Sequence, residues 1–157
     1  MVRNKDVLTS RIEQLEWMLD SEFPSYEWAE RLERTLGSVE RALRRHAKEM
    51  ESSKGLFAEV DRTRPSLERQ VNQLKQQHRD FVDQVGGLRE QARRIVAALR
   101  ERGSVELHCQ SMQPAFPIDC TDFLQRLEQF VAVLQNHKKK ETNLVLESVD
   151  TDIGVGD

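Results

Sequence analysis

The 157-residue sequence predicts an all-α protein, an up-down-up-down four-helix bundle. Two observations carry that reading. Apolar residues recur at alternating steps of four and three along four stretches, the pattern of a helix stripe packed against other helices. Charged residues make up 32 % of the chain but are interspersed with those stripes, and breakers are few, with seven glycines and four prolines. Long amphipathic helices satisfy both facts; a disordered chain does not.

The first helix is expected from about Asp6 to about Asp20, with the stripe Leu8, Ile12, Leu15 and Leu19. Ser21 to Ser25 ends it, because Pro24 bars the helical conformation at Phe23 and removes a donor. Ser25 is the expected N-cap of the second helix. That helix is predicted from about Tyr26 to about Val60, on the stripe Leu32, Leu36, Val39, Leu43, His46, Met50, Ser53, Phe57 and Val60. Asp61 to Pro65 reads as a tight reversal, with Pro65 in the first turn of the third helix.

The third helix is expected from about Ser66 to about Arg102. Its stripe is Leu67, Val71, Leu74, His78, Phe81, Val85, Leu88, Ala92, Ile95 and Leu99. Gly86-Gly87 costs about 1 kcal/mol per glycine against alanine and predicts a bend or a close helix contact. Gly103 is the expected residue just past the helix end. A loop with Pro114 and Pro117 follows. The fourth helix opens on Asp119 as N-cap, with Ile118 against Phe123 as a hydrophobic staple. Its stripe is Phe123, Leu127, Phe130, Leu134, His137, Glu141, Leu144 and Ser148. Residues 1–150 read as one bundle and 151–157 as an acidic tail that leaves the helix.

Composition removes several function classes. A net charge of -3, mixed in sign, gives no basic stripe for nucleic acid. No run of 18 apolar residues spans a membrane, and no apolar segment behind the N-terminus reads as a signal peptide. Two cysteines, Cys109 and Cys120, make no disulfide framework, so the expected compartment is the cytoplasm. His108, Cys109 and Cys120 offer too few ligands for a zinc site. Trp17, Tyr26 and Trp28 are expected to cover one end of the bundle. No nucleophile stands beside a base, so no enzyme is expected.

The polar residues on the stripes carry the functional signal. Of four histidines, three interrupt apolar stripes, each on a different helix: His46, His78 and His137. Glu141 lies one turn beyond His137 on the same face. Counted from the reversal near Arg64, His46 and His78 differ in height by roughly 6 Å at 1.5 Å per residue. His78 lies roughly 37 Å before its helix end and His137 roughly 27 Å after its own start, so the four residues are expected on one layer of the core if the third helix overhangs the fourth. A core carboxylate is costly unless paired, hydrogen-bonded or metal-bound. Imidazoles plus a carboxylate on facing helices are how bundles hold transition metals. The alternative is that each histidine is satisfied separately by a neighbouring helix.

Three stretches, His46-Ala-Lys-Glu-Met-Glu51, Gln77-His78-Arg79-Asp80 and His137-Lys-Lys-Lys-Glu141, together with the closing Asp152 to Asp157, resemble the hemerythrin-like (HHE) domain. The resemblance covers essentially the whole chain in helix order. It implies a four-helix bundle around a non-haem di-iron centre that binds oxygen or responds to iron, oxygen or nitric oxide. It places ligands at His46, His78, His137 and Glu141. It also implies a histidine on the first helix, which this chain lacks, and a bridging carboxylate four residues after His46, where Met50 stands. Glu51 is about 100° further around the helix. Two cations need a bridging anion, so an intact di-iron centre is not expected. Either one Fe or Zn ion is bound by the four residues, or none is and Met50 fills the space. The chain is then a small sensor or binding module with a reduced metal site, or a metal-free helical scaffold for an unidentified protein partner.

Overall fold

The structure is a computed structural model that describes residues 6–20, 25–106 and 119–153. Its helices are α1 (Val7–Asp20), α2 (Tyr26–Glu51), α3 (Leu56–Thr63), α4 (Glu68–Glu106) and α5 (Thr121–Ile153), with a 3-10 turn, Pro65–Leu67, leading into α4. Among the described residues there is no strand. α1 packs on α2, α2 on α4, α4 on α5, and α5 back on α1, which closes the four-helix bundle.

Ser25 caps α2 as its position predicts: its backbone is extended and its hydroxyl accepts the Trp28 amide at 3.1 Å. At the start of α5 the cap is shared. The Leu124 amide donates to the Cys120 carbonyl at 2.8 Å, and the Asp119 carboxylate accepts the Thr121 amide at 3.0 Å. Ile118 and the loop with His108 and Cys109 lie outside the described residues, as does the break at 21–24.

The second predicted helix is two helices. It stops at Glu51, and the chain re-enters a helix at Leu56 after Ser52-Ser53-Lys54-Gly55. Ser53, expected on the stripe, is exposed. Two serines compete for backbone partners, and the Ser52 hydroxyl donates to the Glu49 carbonyl at 3.1 Å. Gly55 lets the chain fold back, since a Cβ there would lie 2.6 Å from the Met50 carbonyl oxygen. The break matters for the site. On a continuous helix Phe57 would stand about 16 Å beyond His46. Instead its ring stacks on His78 with centroids 5.7 Å apart.

Smaller corrections concern helix ends. α3 runs through Asp61 to Thr63, so the reversal is confined to Arg64 and the 3-10 turn. α4 continues through Gly103 to Glu106, because no proline intervenes and one glycine does not stop a 39-residue helix. α5 continues through Asp150 to Ile153, with no glycine before Gly154. Gly86 and Gly87 make no close helix contact: a Cβ at either would meet nothing within 4 Å. Met18 replaces Leu19 as the last fully buried residue of α1. Trp28 covers the core and donates Nε1–H to the Met18 carbonyl at 3.1 Å. Trp17 is 59 % exposed, one position off the buried stripe.

The core falls into layers. Leu15, Leu36, Leu43, Phe81, Leu127 and Leu134 belong to the main apolar cluster, and Phe57, Val60, Val71, Leu74 and Leu144 form a second. Each polar stripe residue lies between a member of one and a member of the other. His46 falls between Leu43 and the second cluster's Met50, and His78 between Leu74 and Phe81. His137 and Glu141 fall between Leu134 and Leu144. A polar layer is thus sealed between two apolar ones. Across the α2–α4 contact, Arg89 bridges Glu33 at 3.3 Å and Glu40 at 3.0 Å, its guanidinium lying 3.2 Å from where a Cβ on Gly37 would be.

Candidate metal centre

α2, α4 and α5 each turn imidazole into the polar layer, and α5 adds the carboxylate. His46, His78, His137 and Glu141 are 7, 2, 2 and 5 % exposed. All three Nε2 atoms face the same carboxylate. His46 Nε2 lies 2.9 Å from Glu141 Oε1 and 3.0 Å from Oε2. His78 Nε2 lies 3.4 Å from Oε1, and His137 Nε2 faces that same oxygen from one turn back. The rings are close: His46 to His78 is 5.3 Å between centroids and His78 to His137 is 4.8 Å. One ligand atom from each residue lies within 4.8 Å of the others.

This is convergence, not separate satisfaction. The His137 Nε2 atom is buried and has no hydrogen-bond partner of proper geometry, although a carboxylate oxygen stands in front of it. Three imidazole nitrogens and an anion aimed at one point suit a cation.

The outer nitrogens fix which face of each ring is turned inward. His137 Nδ1 meets Gln77 Oε1 at 2.7 Å. His78 Nδ1 faces Glu51 Oε2 at 3.6 Å, and His46 Nδ1 faces Asp6 Oδ2 at 3.8 Å. His137 thus has an acceptor at hydrogen-bond length behind it, which suits a proton on Nδ1 and a lone pair on Nε2; the carboxylates behind His78 and His46 lie beyond hydrogen-bond length, and His78 Nδ1 has no hydrogen-bond partner. Such outer partners orient metal-ligating histidines and raise their basicity. Sequence reasoning missed Asp6 and Gln77, since neither lies on an apolar stripe. Glu51, one residue past the expected bridging position, stands behind His78 instead.

Electrostatics match the donor roles. Burial raises the Glu141 pKa, but the three surrounding imidazoles, His137 first, outweigh it and hold the carboxyl well below the usual range. It is an anion without any metal. Burial pushes the His137 pKa down, further than the Glu141 carboxylate pulls it up, so the ring is neutral at pH 7, as a ligand must be.

The family model of the Hemerythrin HHE cation binding domain matches residues 5–149. The chain belongs to this family. No curated protein and no solved structure matches it. As a hemerythrin-like chain it departs from the full ligand complement that the resemblance implies. α1 carries no histidine, and Met50 stands where a bridging carboxylate is expected. Met50 is half-buried and packs against the Phe57–Leu144 cluster. Among the described residues no other histidine, cysteine or acid joins the four. The donor set fits one cation. It does not fit two, because it holds one carboxylate for the pair.

Proposed function

We propose that this hemerythrin-like domain is a mononuclear metal-binding module in which His46, His78 and His137 ligate through Nε2 and Glu141 through its carboxylate. The observation that carries the reading is the convergence of three buried Nε2 atoms, from three different helices, on the one buried carboxylate of Glu141. The chemistry of the donors admits Fe²⁺ or Zn²⁺. Bound iron would supply a redox-active centre able to respond to oxygen or nitric oxide.

The chain's own part is to seal and orient. Phe57 and Phe81 flank His78 and His137, with ring centroids 5.7 and 5.0 Å away, and keep bulk water from the donors. Glu141 offsets the cation's charge. The role proposed for the module is sensing or binding rather than catalysis. The free, buried thiol of Cys120 is in keeping with the cytoplasm. A metal-free scaffold would expect each histidine to be satisfied apart from the others, and the shared carboxylate argues against it.

The test is elemental mass spectrometry on the untagged protein after reconstitution with Fe²⁺ or Zn²⁺. One equivalent, lost in His78→Ala, is expected. Absence of any bound metal after reconstitution would overturn the reading.

A further inference from the structure

α1 is the one bundle helix that supplies no ligand, yet its first residues reach the centre. Asp6 opens α1: its carbonyl accepts the Ser10 amide at 3.1 Å, and its Oδ1 faces the Leu8 amide at 3.4 Å. Its other oxygen, Oδ2, accepts Lys138 Nζ from α5 at 2.7 Å and lies 3.8 Å from His46 Nδ1 on α2. Lys138 directly follows the ligand His137. One carboxylate thus joins the start of α1, a ligand's neighbour on α5, and the back of a ligand on α2.

We infer that Asp6 is a positioning residue that couples the docking of α1 to the loading of the metal centre. The inference rests on the mononuclear reading above. A cation on Nε2 of His46 makes the Nδ1 proton a stronger donor, which draws Asp6 Oδ2 from 3.8 Å toward hydrogen-bond length and holds the α1 start in place. Linkage makes the effect reciprocal: α1 in place holds the His46 ring in its ligating orientation, so whatever displaces α1 weakens the metal. The missing first-helix ligand is thereby replaced by an indirect tie, and α1 becomes the element through which occupancy is felt at the surface.

Asp6→Asn separates this role from plain helix support, because asparagine still caps a helix but loses the charge facing His46. The experiment measures zinc affinity by chelator competition, together with amide exchange over residues 7–12 with and without zinc, in full-length wild type and Asp6→Asn. A weakening of zinc by about 10-fold or more is expected, with the denaturation midpoint of the metal-free protein lowered only by the loss of the partly exposed Asp6–Lys138 ion pair. Zinc should slow exchange at the α1 start in wild type and leave it unaltered in the variant. An affinity within twofold of wild type, or equal zinc-dependent protection in both proteins, overturns the coupling while leaving the mononuclear site standing. Wild type that takes up no zinc or iron overturns both.

Discussion

Gln77 on α4 and His137 on α5 meet at 2.7 Å, with Gln77 Oε1 on His137 Nδ1. That contact commits the His137 Nε2 lone pair to the centre. Gln77→Leu should therefore lower metal affinity by about 10- to 100-fold while leaving stoichiometry at one. Chelator competition measures this, and unaltered affinity would mean that packing alone holds the ring.

Glu51 is set behind His78, not between two metals. Glu51→Gln is expected to leave the metal count at one per chain and to weaken binding, since a neutral amide is a poorer partner for the Nδ1 proton. A protein that holds two metals and loses one in this variant would show that Glu51 bridges.

The metal-free protein should lose stability as pH falls from about 7.5 to 5.5. The folded His137 pKa lies below its ordinary value, so the unfolded chain binds the proton more readily and the contribution of the neutral buried ring disappears below the unfolded pKa of about 6.5. Glu141 adds a second loss at lower pH, because its depressed carboxyl must be protonated as the chain unfolds in acid. Urea midpoints at the two pH values test the first part: His137→Gln should flatten the slope, and an equal slope would place the titration elsewhere.

Glycine positions should respond with opposite signs. Gly86→Ala and Gly87→Ala meet open space on α4 and should each stabilise by about 0.5–1 kcal/mol. Gly55→Ala would press on the backbone carbonyl of Met50 and should destabilise, pulling Phe57 off His78. Thermal denaturation reads both, and a stabilised Gly55→Ala would mean that the link between α2 and α3 yields freely.

Periodicity by itself determined the four bundle helices, because a stripe repeating every 3.5 residues has one way to bury itself, and it placed His46, His78, His137 and Glu141 on that buried stripe. The departure at Met50 is legible only beside the family resemblance, since on the stripe itself Met50 is one more apolar residue. Periodicity was blind to the break after Glu51. The stripe runs unbroken in phase from Leu32 to Val60, and only the fold-back at Gly55, which sets Phe57 on His78, reveals two helices. It was blind as well to Asp6 and Gln77. Polar groups off a stripe look like solvated surface until the neighbouring helices are in place, and an acceptor behind an imidazole is defined by contacts between residues 40 and 60 positions apart in the chain. The layer of ligands was written along each helix; the direction in which each ring points was decided only by packing one helix against the next.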